Sequence, residues 1–148
     1  MDTARQPAAE EARIHELLSA WVTALRRKDI EGVMAHYAPD MVTYDMIPPL
    51  QHEGAVAYRR IVEWWFSTID GPLTYELKNV HAAVSEDVAF VRSLNHIGFR
   101  MHDGTERDNW VCSTLGLRKL DGKWKVLHQH YSVPFDMESG KALLDLRP

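Results

Sequence analysis

The hydrophobic period of this chain changes near residue 70, and that change constrains the fold more than any other feature of the sequence. Before it, apolar residues recur at steps of three and four, which is typical of amphipathic helices. After it come long extended runs joined by the segments SED, HDG and LDG. Asp103-Gly104 and Asp121-Gly122 are strong hairpin signals, because glycine adopts the positive φ that tight turns require. Helices followed by a meander of strands predict an α+β domain whose helices cover one face of a curved sheet.

The helical half of the sequence divides into three predicted helices. Asp29 is a predicted N-cap for a short second helix ending at Pro39, since its carboxylate can accept from free N–H groups of the first turn. The strand MVTYDM follows, and a third helix covers about residues 58–69. The first helix begins near Ala8 and carries an apolar stripe that consists of Ile14, Leu17, Leu18, Trp21, Val22 and Leu25.

Four antiparallel strands are predicted in the second half, at about residues 73–84, 88–101, 106–119 and 123–135. Alternation along each strand separates the side chains into two faces. The concave, helix-covered face is predicted to hold Val91, Ser93, Asn95, Ile97, Phe99, Met101, Asn109, Val111, Ser113, Leu115, Leu117, Leu127, Gln129 and Tyr131. The outer face is predicted to hold Phe90, Arg92, Leu94, His96, Trp110, Cys112, Thr114, Trp124, Val126, His128, His130 and Ser132. Because the outer set is too apolar for free exposure, we expect a homodimer that covers this face.

Composition limits the kind of protein and its partners. A chain of 148 residues with 45% apolar residues predicts one domain over residues 1–148, with a disordered N-terminus at about 1–7 and a tail at about 136–148. The net charge of −4 comes from mixed acids and bases, so neither nucleic acid nor an anionic membrane is an expected partner. The single cysteine, Cys112, excludes an internal disulfide. No apolar run approaches the roughly 20 residues that span a bilayer, so we expect a cytoplasmic protein.

The order of elements resembles a known superfamily. Three N-terminal helices, a short strand ending in an acid, and a meander that closes with GKWKVLHQHYSVPF are similar to the nuclear transport factor 2-like superfamily, in its SnoaL-like or ketosteroid-isomerase-like branch. The resemblance implies a cone-shaped, cystatin-like fold, with the three helices packed on a strongly curved, mainly antiparallel sheet around an apolar cavity. The closing DGKWKVLHQHYS also resembles the end of the calcium/calmodulin-dependent protein kinase II association domain, an oligomerisation module.

Asp45 is the residue on which the implied chemistry depends. The segment KDIEGVMAHYAPDMVTYD is similar to the part of ketosteroid isomerases that carries the catalytic base, and its matching residue is Asp45. In the implied cone this end of the strand points into the cavity, where a carboxylate loses hydration and its proton affinity rises. Such an acid can move a proton at a carbon beside a carbonyl. The resemblance thus implies an isomerase or cyclase with Asp45 as base; a pocket-wall or capping acid is the alternative.

The sequence departs from the isomerase pattern in its hydrogen-bond donors. The tyrosine donor of the family's first helix falls on Trp21, and the second donor, a protonated acid, falls near Ser113, where no carboxyl exists. Classical steroid isomerase activity is therefore not expected, and no cofactor is implied. We expect a cavity for a small apolar molecule with one or two oxygens, or else a non-catalytic ligand-binding or oligomerisation domain. The predicted ligand-binding residues are Trp21, Tyr58, Trp65, Asn95, Asn109, Ser113, Gln129 and Tyr131.

Three further features of the sequence are a pair of histidines, a tryptophan beside the third-helix stripe and a segment near the C-terminus. His128 and His130 share one face of a strand, a spacing that can hold a metal, but spacing suggests no third ligand, so we expect no metal site. We interpret them as hydrogen-bonded histidines at a subunit interface; a phase shift of one residue would instead place them in the cavity as acid–base candidates. Trp64 is expected to cover a loop or the cavity mouth, and ESGKALLDL is expected to form a short docked tail.

Overall fold

The computed structural model describes residues 5–148. The described part of the chain forms three helices and one curved, unclosed sheet of six strands in the order β2-β1-β6-β5-β4-β3. β1 runs parallel to β6, and every other neighbouring pair is antiparallel, so the predicted α+β class is confirmed. The elements are α1 (Arg5–Arg26), α2 (Ile30–Met34), β1 (Tyr37–Tyr44), β2 (His52–Glu53), α3 (Ala55–Thr68), β3 (Ile69–Val84), β4 (Val88–Met101), β5 (Glu106–Leu120) and β6 (Lys123–Ser132).

The predicted meander is confirmed with small changes at its ends. β4 has the predicted bounds, β5 ends one residue later at Leu120, and β6 ends earlier at Ser132. Gly104 and Gly122 adopt φ values of +86° and +77° in the two predicted hairpin turns. β3 begins at Ile69, four residues earlier than predicted. Residues 70–72, with the sequence DGP, therefore lie inside this strand, at the point where its pairing with β4 shifts.

The N-terminal elements correct three details of the prediction. α1 begins at Arg5, so residues 5–7 of the predicted disordered segment are helical, and residues 1–4 lie outside the described part. Pro7 fits the first turn, where its missing N–H is not needed by the helix. Asp29 caps α2 as predicted, accepting from the N–H of Gly32 at 3.0 Å. α2 ends at Met34, however, and Pro39 lies within β1. Pro39 falls in the interval where the pairing of β1 with β6 is interrupted, and a proline is tolerated there because it has no N–H to donate to the ladder.

A β-bulge in β6 changes the face of two predicted outer residues. Gly116 of β5 pairs with His128, but the next residue of β5 pairs with Val126, so Leu127 is the extra residue. Trp124 and Val126 therefore point inward and are only 6% and 2% exposed. Strict alternation is wrong before the bulge because one inserted residue exchanges the two faces. After the bulge, the predicted assignment of side chains to the two faces is correct again, and Gln129 and Tyr131 are buried.

The inward position of Trp124 creates a polar link between α1 and the β5–β6 hairpin. The indole Nε1 donates to Glu10 Oε2 at 2.7 Å, and Lys119 Nζ lies 2.8 Å from the same oxygen. These two hydrogen bonds hold the pKa of Glu10 below its usual value. The helix is thereby fixed over one end of the sheet. None of the helices within residues 5–148 is long and apolar enough to cross a membrane.

Glu10→Gln is expected to lower the thermal unfolding temperature at neutral pH, because Lys119 loses its anionic partner while Trp124 keeps an acceptor. A carboxylate with a lowered folded-state pKa stabilises the fold above its unfolded pKa, and this contribution is lost as the pH falls through the folded value. The difference between variant and wild type should therefore shrink as the pH falls below 4.5. Circular dichroism melts over a pH series measure it.

Glu11→Gln is the matched control, since Glu11 lies one residue further along α1 and, among residues 5–148, forms its one ion pair with His15, an exposed pair at 3.7 Å. Equal losses in the two variants, or a difference from wild type that stays constant with pH, would contradict the role given to Glu10.

Candidate functional site

A cavity of about 340 Å³ lies between the helices and the concave face of the sheet. This size suits a small organic molecule. Six of the predicted site residues line the cavity: Trp21, Asp45, Tyr58, Trp65, Asn109 and Tyr131. Trp64 also lines it while 56% exposed, which fits a position at the cavity mouth. Most of the remaining lining is apolar, as in Leu25, Ile61, Val62, Ile97, Phe99 and Val111.

The other three predicted ligand-binding residues lie behind the lining. Asn95, Ser113 and Gln129 are buried on the predicted concave face, but they are not among the residues that line the cavity. The predicted face is therefore correct for these three residues, but they do not reach the cavity surface. Asn95 and Gln129 hydrogen-bond to cavity tyrosines, and so act on the site through these side chains.

Asp45 directly follows β1, at the edge of the cavity. Its Oδ1 accepts from the backbone N–H of Ile47 at 3.2 Å. Burial raises the pKa of Asp45, while the backbone N–H groups of residues 46 and 47 and the charge of His52 act in the opposite direction. The ring of His52 also donates from Nε2 to the carbonyl of Ile47 at 2.9 Å, and this bond holds the loop that positions the carboxylate.

Four tyrosines form a cluster with Gln129 beside this acid. Tyr58, Tyr75 and Tyr131 line the cavity, and Tyr37 lies behind them. Tyr37 Oη donates to Gln129 Oε1 at 2.9 Å, and Tyr131 Oη donates to the same oxygen at 3.2 Å. The hydroxyl oxygens of Tyr37 and Tyr58 are 3.5 Å apart. One amide oxygen thus organises hydroxyls from two strands beside the helix residue Tyr58.

A second chain of hydrogen bonds supports Tyr75. Asn95 Nδ2 donates to Tyr75 Oη at 3.0 Å, and Ser93 Oγ donates to Asn95 Oδ1 at 2.7 Å. Sequence analysis missed Tyr75, although the alternation of Leu73, Tyr75 and Leu77 in β3 carried the signal. It was missed because no faces were assigned to this strand.

Burial keeps these phenols protonated. It raises the pKa of Tyr58 to about 12, and it raises the pKa of Tyr37, Tyr75 and Tyr131 as well. The negative charge of Asp45 contributes to the raised pKa of Tyr58, Tyr75 and Tyr131, so the acid and these hydroxyls share one electrostatic environment. Near neutral pH the cavity therefore holds tyrosine O–H donors.

Trp21 adds a nitrogen donor to the cavity. Its Nε1 is buried and has no hydrogen-bond partner within residues 5–148, as is also true of Gln129 Nε2 and Thr43 Oγ1. Buried polar atoms without partners are uncommon in folded proteins, because each carries an uncompensated loss of hydration. Since Trp21 lines the cavity, a ligand oxygen is one group that could satisfy its N–H.

The C-terminal tail forms part of the cavity wall. Asn109 Nδ2 donates to the backbone oxygen of Leu144 at 2.7 Å, and Leu144 lines the cavity. Arg147 Nη1 pairs with Asp108 Oδ1 at 2.9 Å. Asn109, predicted to bind ligand, thus donates to the tail. Leu144 could not have been found from sequence, because no local pattern shows where the tail docks.

His128 and His130 lie on the outer face, beside the ring of Tyr44 at centroid distances of 4.6 and 5.6 Å. His128 Nδ1 donates to the carbonyl of Val42 at 2.8 Å. Neither histidine lines the cavity, so the alternative phase that would make them acid–base groups is excluded. Residues 5–148 contain no group of three or more His, Cys, Asp or Glu residues that could hold a metal ion.

Gln129→Leu is expected to lower the free energy of unfolding by about 1–3 kcal/mol, because two buried hydroxyls lose their acceptor. Urea denaturation measures this change. Gln51→Leu is the control, since Gln51 is exposed and its amide bonds only to Glu53. If both variants unfold at the same urea concentration, the shared amide oxygen does not stabilise the cluster.

Asp45→Asn is expected to make the protein more stable than wild type at neutral pH. A carboxyl with a raised folded-state pKa stabilises the fold below its unfolded pKa, and this contribution is lost as the pH rises through the folded value. The advantage of the variant should therefore disappear as the pH falls towards 3.8, the ordinary value for aspartate. Chemical denaturation at several pH values tests this. A variant less stable than wild type at pH 7 would contradict burial of the charged group.

Comparisons with known proteins agree with this architecture. The chain is similar to an NTF2-like protein of unknown function from Pseudomonas putida KT2440, with 38% identity over 95% of this chain and 98% of the other, at a TM-score of 0.87. A ketosteroid isomerase-like protein from Erwinia carotovora atroseptica SCRI1043 shares 28% identity over 82% and 93% of the two chains, at a TM-score of 0.70.

More distant structures share the fold alone. The association domain of C. elegans CaMKII matches with 19% identity over 86% of this chain and 98% of the other, at a TM-score of 0.69. No curated protein matches the sequence. The family model of the SnoaL-like domain matches residues 14–136, and this chain therefore belongs to the SnoaL-like family within the NTF2-like fold.

Proposed function

We propose that this protein binds a small, largely apolar molecule with a carbonyl group in its cavity and transfers a proton with Asp45 as general base, as in an isomerisation or cyclisation. The observation that carries the proposal is a carboxylate of raised pKa on the wall of an apolar cavity, beside tyrosine hydroxyls that stay protonated. A base and hydrogen-bond donors around one space are the two parts that enolisation requires.

The proposed reaction starts at the carbon beside the carbonyl. Asp45 takes a proton from this carbon, and the electron pair of the C–H bond moves to form an enolate with its charge on oxygen. In an isomerisation, the carboxylic acid of Asp45 returns the proton to another carbon of the conjugated system. In a cyclisation, the enolate carbon attacks a second carbonyl carbon of the same molecule, the electron pair of that C=O π bond moves to its oxygen, and this oxygen takes the proton from the carboxylic acid of Asp45. The raised pKa suits the base role because it strengthens the attraction for the proton.

The hydroxyls of Tyr58 and Tyr75 and the indole N–H of Trp21 are the proposed donors to the enolate oxygen. Donors fixed in a cavity of low polarity stabilise a developing oxyanion without reorganising during the reaction. The Asn95 hydrogen bond supports this role because Tyr75 accepts it and keeps its own O–H free to donate, whereas the O–H of Tyr131 is already donated to Gln129. Donors from these positions would replace those that the isomerase pattern has on its first helix and later strand.

Proton exchange tests the base without knowledge of the natural substrate. 2-Tetralone, an apolar bicyclic ketone with acidic protons beside its carbonyl, serves as the probe in D2O, and NMR follows its loss of C–H signal. Wild-type protein is expected to accelerate this exchange, and Asp45→Asn to lower the catalysed rate by about 100-fold or more. Asp40→Asn is the matched control, because Asp40 is an exposed acid of the same strand.

Two results would contradict the catalytic proposal. Undiminished exchange with Asp45→Asn would remove this residue from the role of base. Binding of 2-tetralone without any acceleration by the wild-type protein would favour the non-catalytic ligand-binding domain.

We further propose a homodimer through the outer face of the sheet. This face carries an exposed Phe90, half of whose surface is accessible (50%), together with the exposed Val88 and Tyr44. At its centre Trp110 stacks on His96 with ring centroids 4.8 Å apart. Apolar surface of this kind is typical of protein interfaces. A second copy of the chain would cover it by a two-fold contact.

Cys112→Glu is expected to convert this dimer to a monomer, because Cys112 is exposed on the middle of the outer face and a glutamate there would be buried against its copy. Light scattering coupled to gel filtration measures the mass. Val56→Glu on α3 is the control, since Val56 is also exposed but lies on a helix and not on the outer face of the sheet. A monomeric wild-type protein would contradict the proposed dimer.

A further inference from the structure

Arg107 is the one positively charged side chain lining the cavity in the described part of the chain, and Asp45 is the one carboxylate. Nearby arginines are paired: Arg100 with Asp70 and Arg147 with Asp108, both at 2.9 Å. Arg107 has no such ion pair within residues 5–148. Its charge lowers the pKa of Asp103, but that carboxylate accepts from the backbone N–H of Thr105 and forms no ion pair with the guanidinium.

The sheet register places Arg107 on the cavity face at the open end of β5. It precedes Asn109 and Val111 at steps of two, so the three side chains share a face, and its partner across the strands is Phe99, which also lines the cavity. Arg107 is exposed, whereas Val111 is buried. Arg107 therefore lies at the boundary between the solvent and the cavity.

The two charges lie far apart along the sheet. Ser113 of β5 pairs with Tyr131, and Tyr44, just before Asp45, pairs with His130, so Asp45 lies near the level of Tyr131. Arg107 is six residues from Ser113, or about 20 Å along an extended strand. The positive charge that acts on the Asp45 pKa accordingly comes from His52 and not from Arg107. Arg107 and Asp45 are thus attached at different levels of the sheet, and most of the lining between them is apolar.

We infer that Arg107 is a specificity-determining residue that binds an anionic group, such as a carboxylate, at the outer end of a ligand whose oxygen at the other end reaches the tyrosine hydroxyls. This inference rests on the proposed function, because it assigns the class of ligand for the same cavity: an elongated apolar molecule with a carbonyl or hydroxyl at one end and an acid at the other.

Charge and geometry both favour this ligand class. The planar guanidinium can donate two parallel hydrogen bonds to a carboxylate. At the exposed end of the cavity the acid keeps part of its hydration, so it binds without the large penalty of burying a charge.

A matched pair of probes tests the inference. 6-Hydroxy-2-naphthoate has a hydroxyl and a carboxylate at opposite ends of a rigid apolar ring system, and 2-naphthol lacks only the carboxylate. Isothermal titration calorimetry is expected to show about tenfold tighter binding of the naphthoate to wild-type protein, as for a hydrogen bond to a charged group. Arg107→Met should remove this preference by weakening the naphthoate alone, and Arg107→Lys should restore part of it.

Arg118→Met is the control for loss of one positive charge. Arg118 is exposed on the same strand but does not line the cavity, so its replacement should leave both affinities unchanged. Equal wild-type affinities for the two probes, or equal losses in the Arg107 and Arg118 variants, would overturn the inference and leave the proposed function intact. If neither probe binds, the inference is overturned as well, while the role of Asp45 is decided separately by exchange into 2-tetralone.

Discussion

The amide oxygen of Gln129 is the contact on which the arrangement of the cavity depends. It accepts from Tyr37 of β1 and Tyr131 of β6, and Tyr37 in turn contacts the hydroxyl of Tyr58 on α3. β1 and β6 are the parallel pair of the sheet, so this oxygen joins the point where the N-terminal strand enters the meander to the helix above it. Because an unpaired buried hydroxyl is unfavourable, the cluster has few alternative arrangements. The directions of the Tyr37 and Tyr131 hydroxyls follow from it.

Two acids of this chain show how their surroundings set opposite proton affinities. Glu10 and Asp45 both approach the interior, yet Glu10 has a lowered pKa because Lys119 and Trp124 donate to it. Asp45 has a raised pKa because burial outweighs its backbone hydrogen bonds and the charge of His52. The first acid stabilises the packing of α1. The second is held at a loss of stability at neutral pH, because burial disfavours its charged form.

Local patterns predicted the meander well and the cavity less well. Alternation placed Asn95, Gln129 and Tyr131 on the correct face, and Asp-Gly pairs located two of the three hairpins of the meander. Alternation gave the wrong face for Trp124, because the bulge at Leu127 cannot be recognised from the pattern of apolar and polar residues. A bulge depends on how β6 meets both β5 and β1, and this meeting involves residues distant in sequence. The docking of Leu144 was unpredictable for the same reason.

The donor positions bear on how one fold can support varied chemistry. In this chain the first helix offers Trp21 where a ketosteroid isomerase would have a tyrosine, but the hydroxyl of Tyr75 reaches the cavity from β3. A curved sheet presents side chains of several strands to one space, so a donor can be supplied from another strand while the proposed base stays at the end of β1. What such a site binds then depends on the remaining lining. Here that lining is mainly apolar, and Arg107 is the proposed group that distinguishes an acid from a neutral molecule.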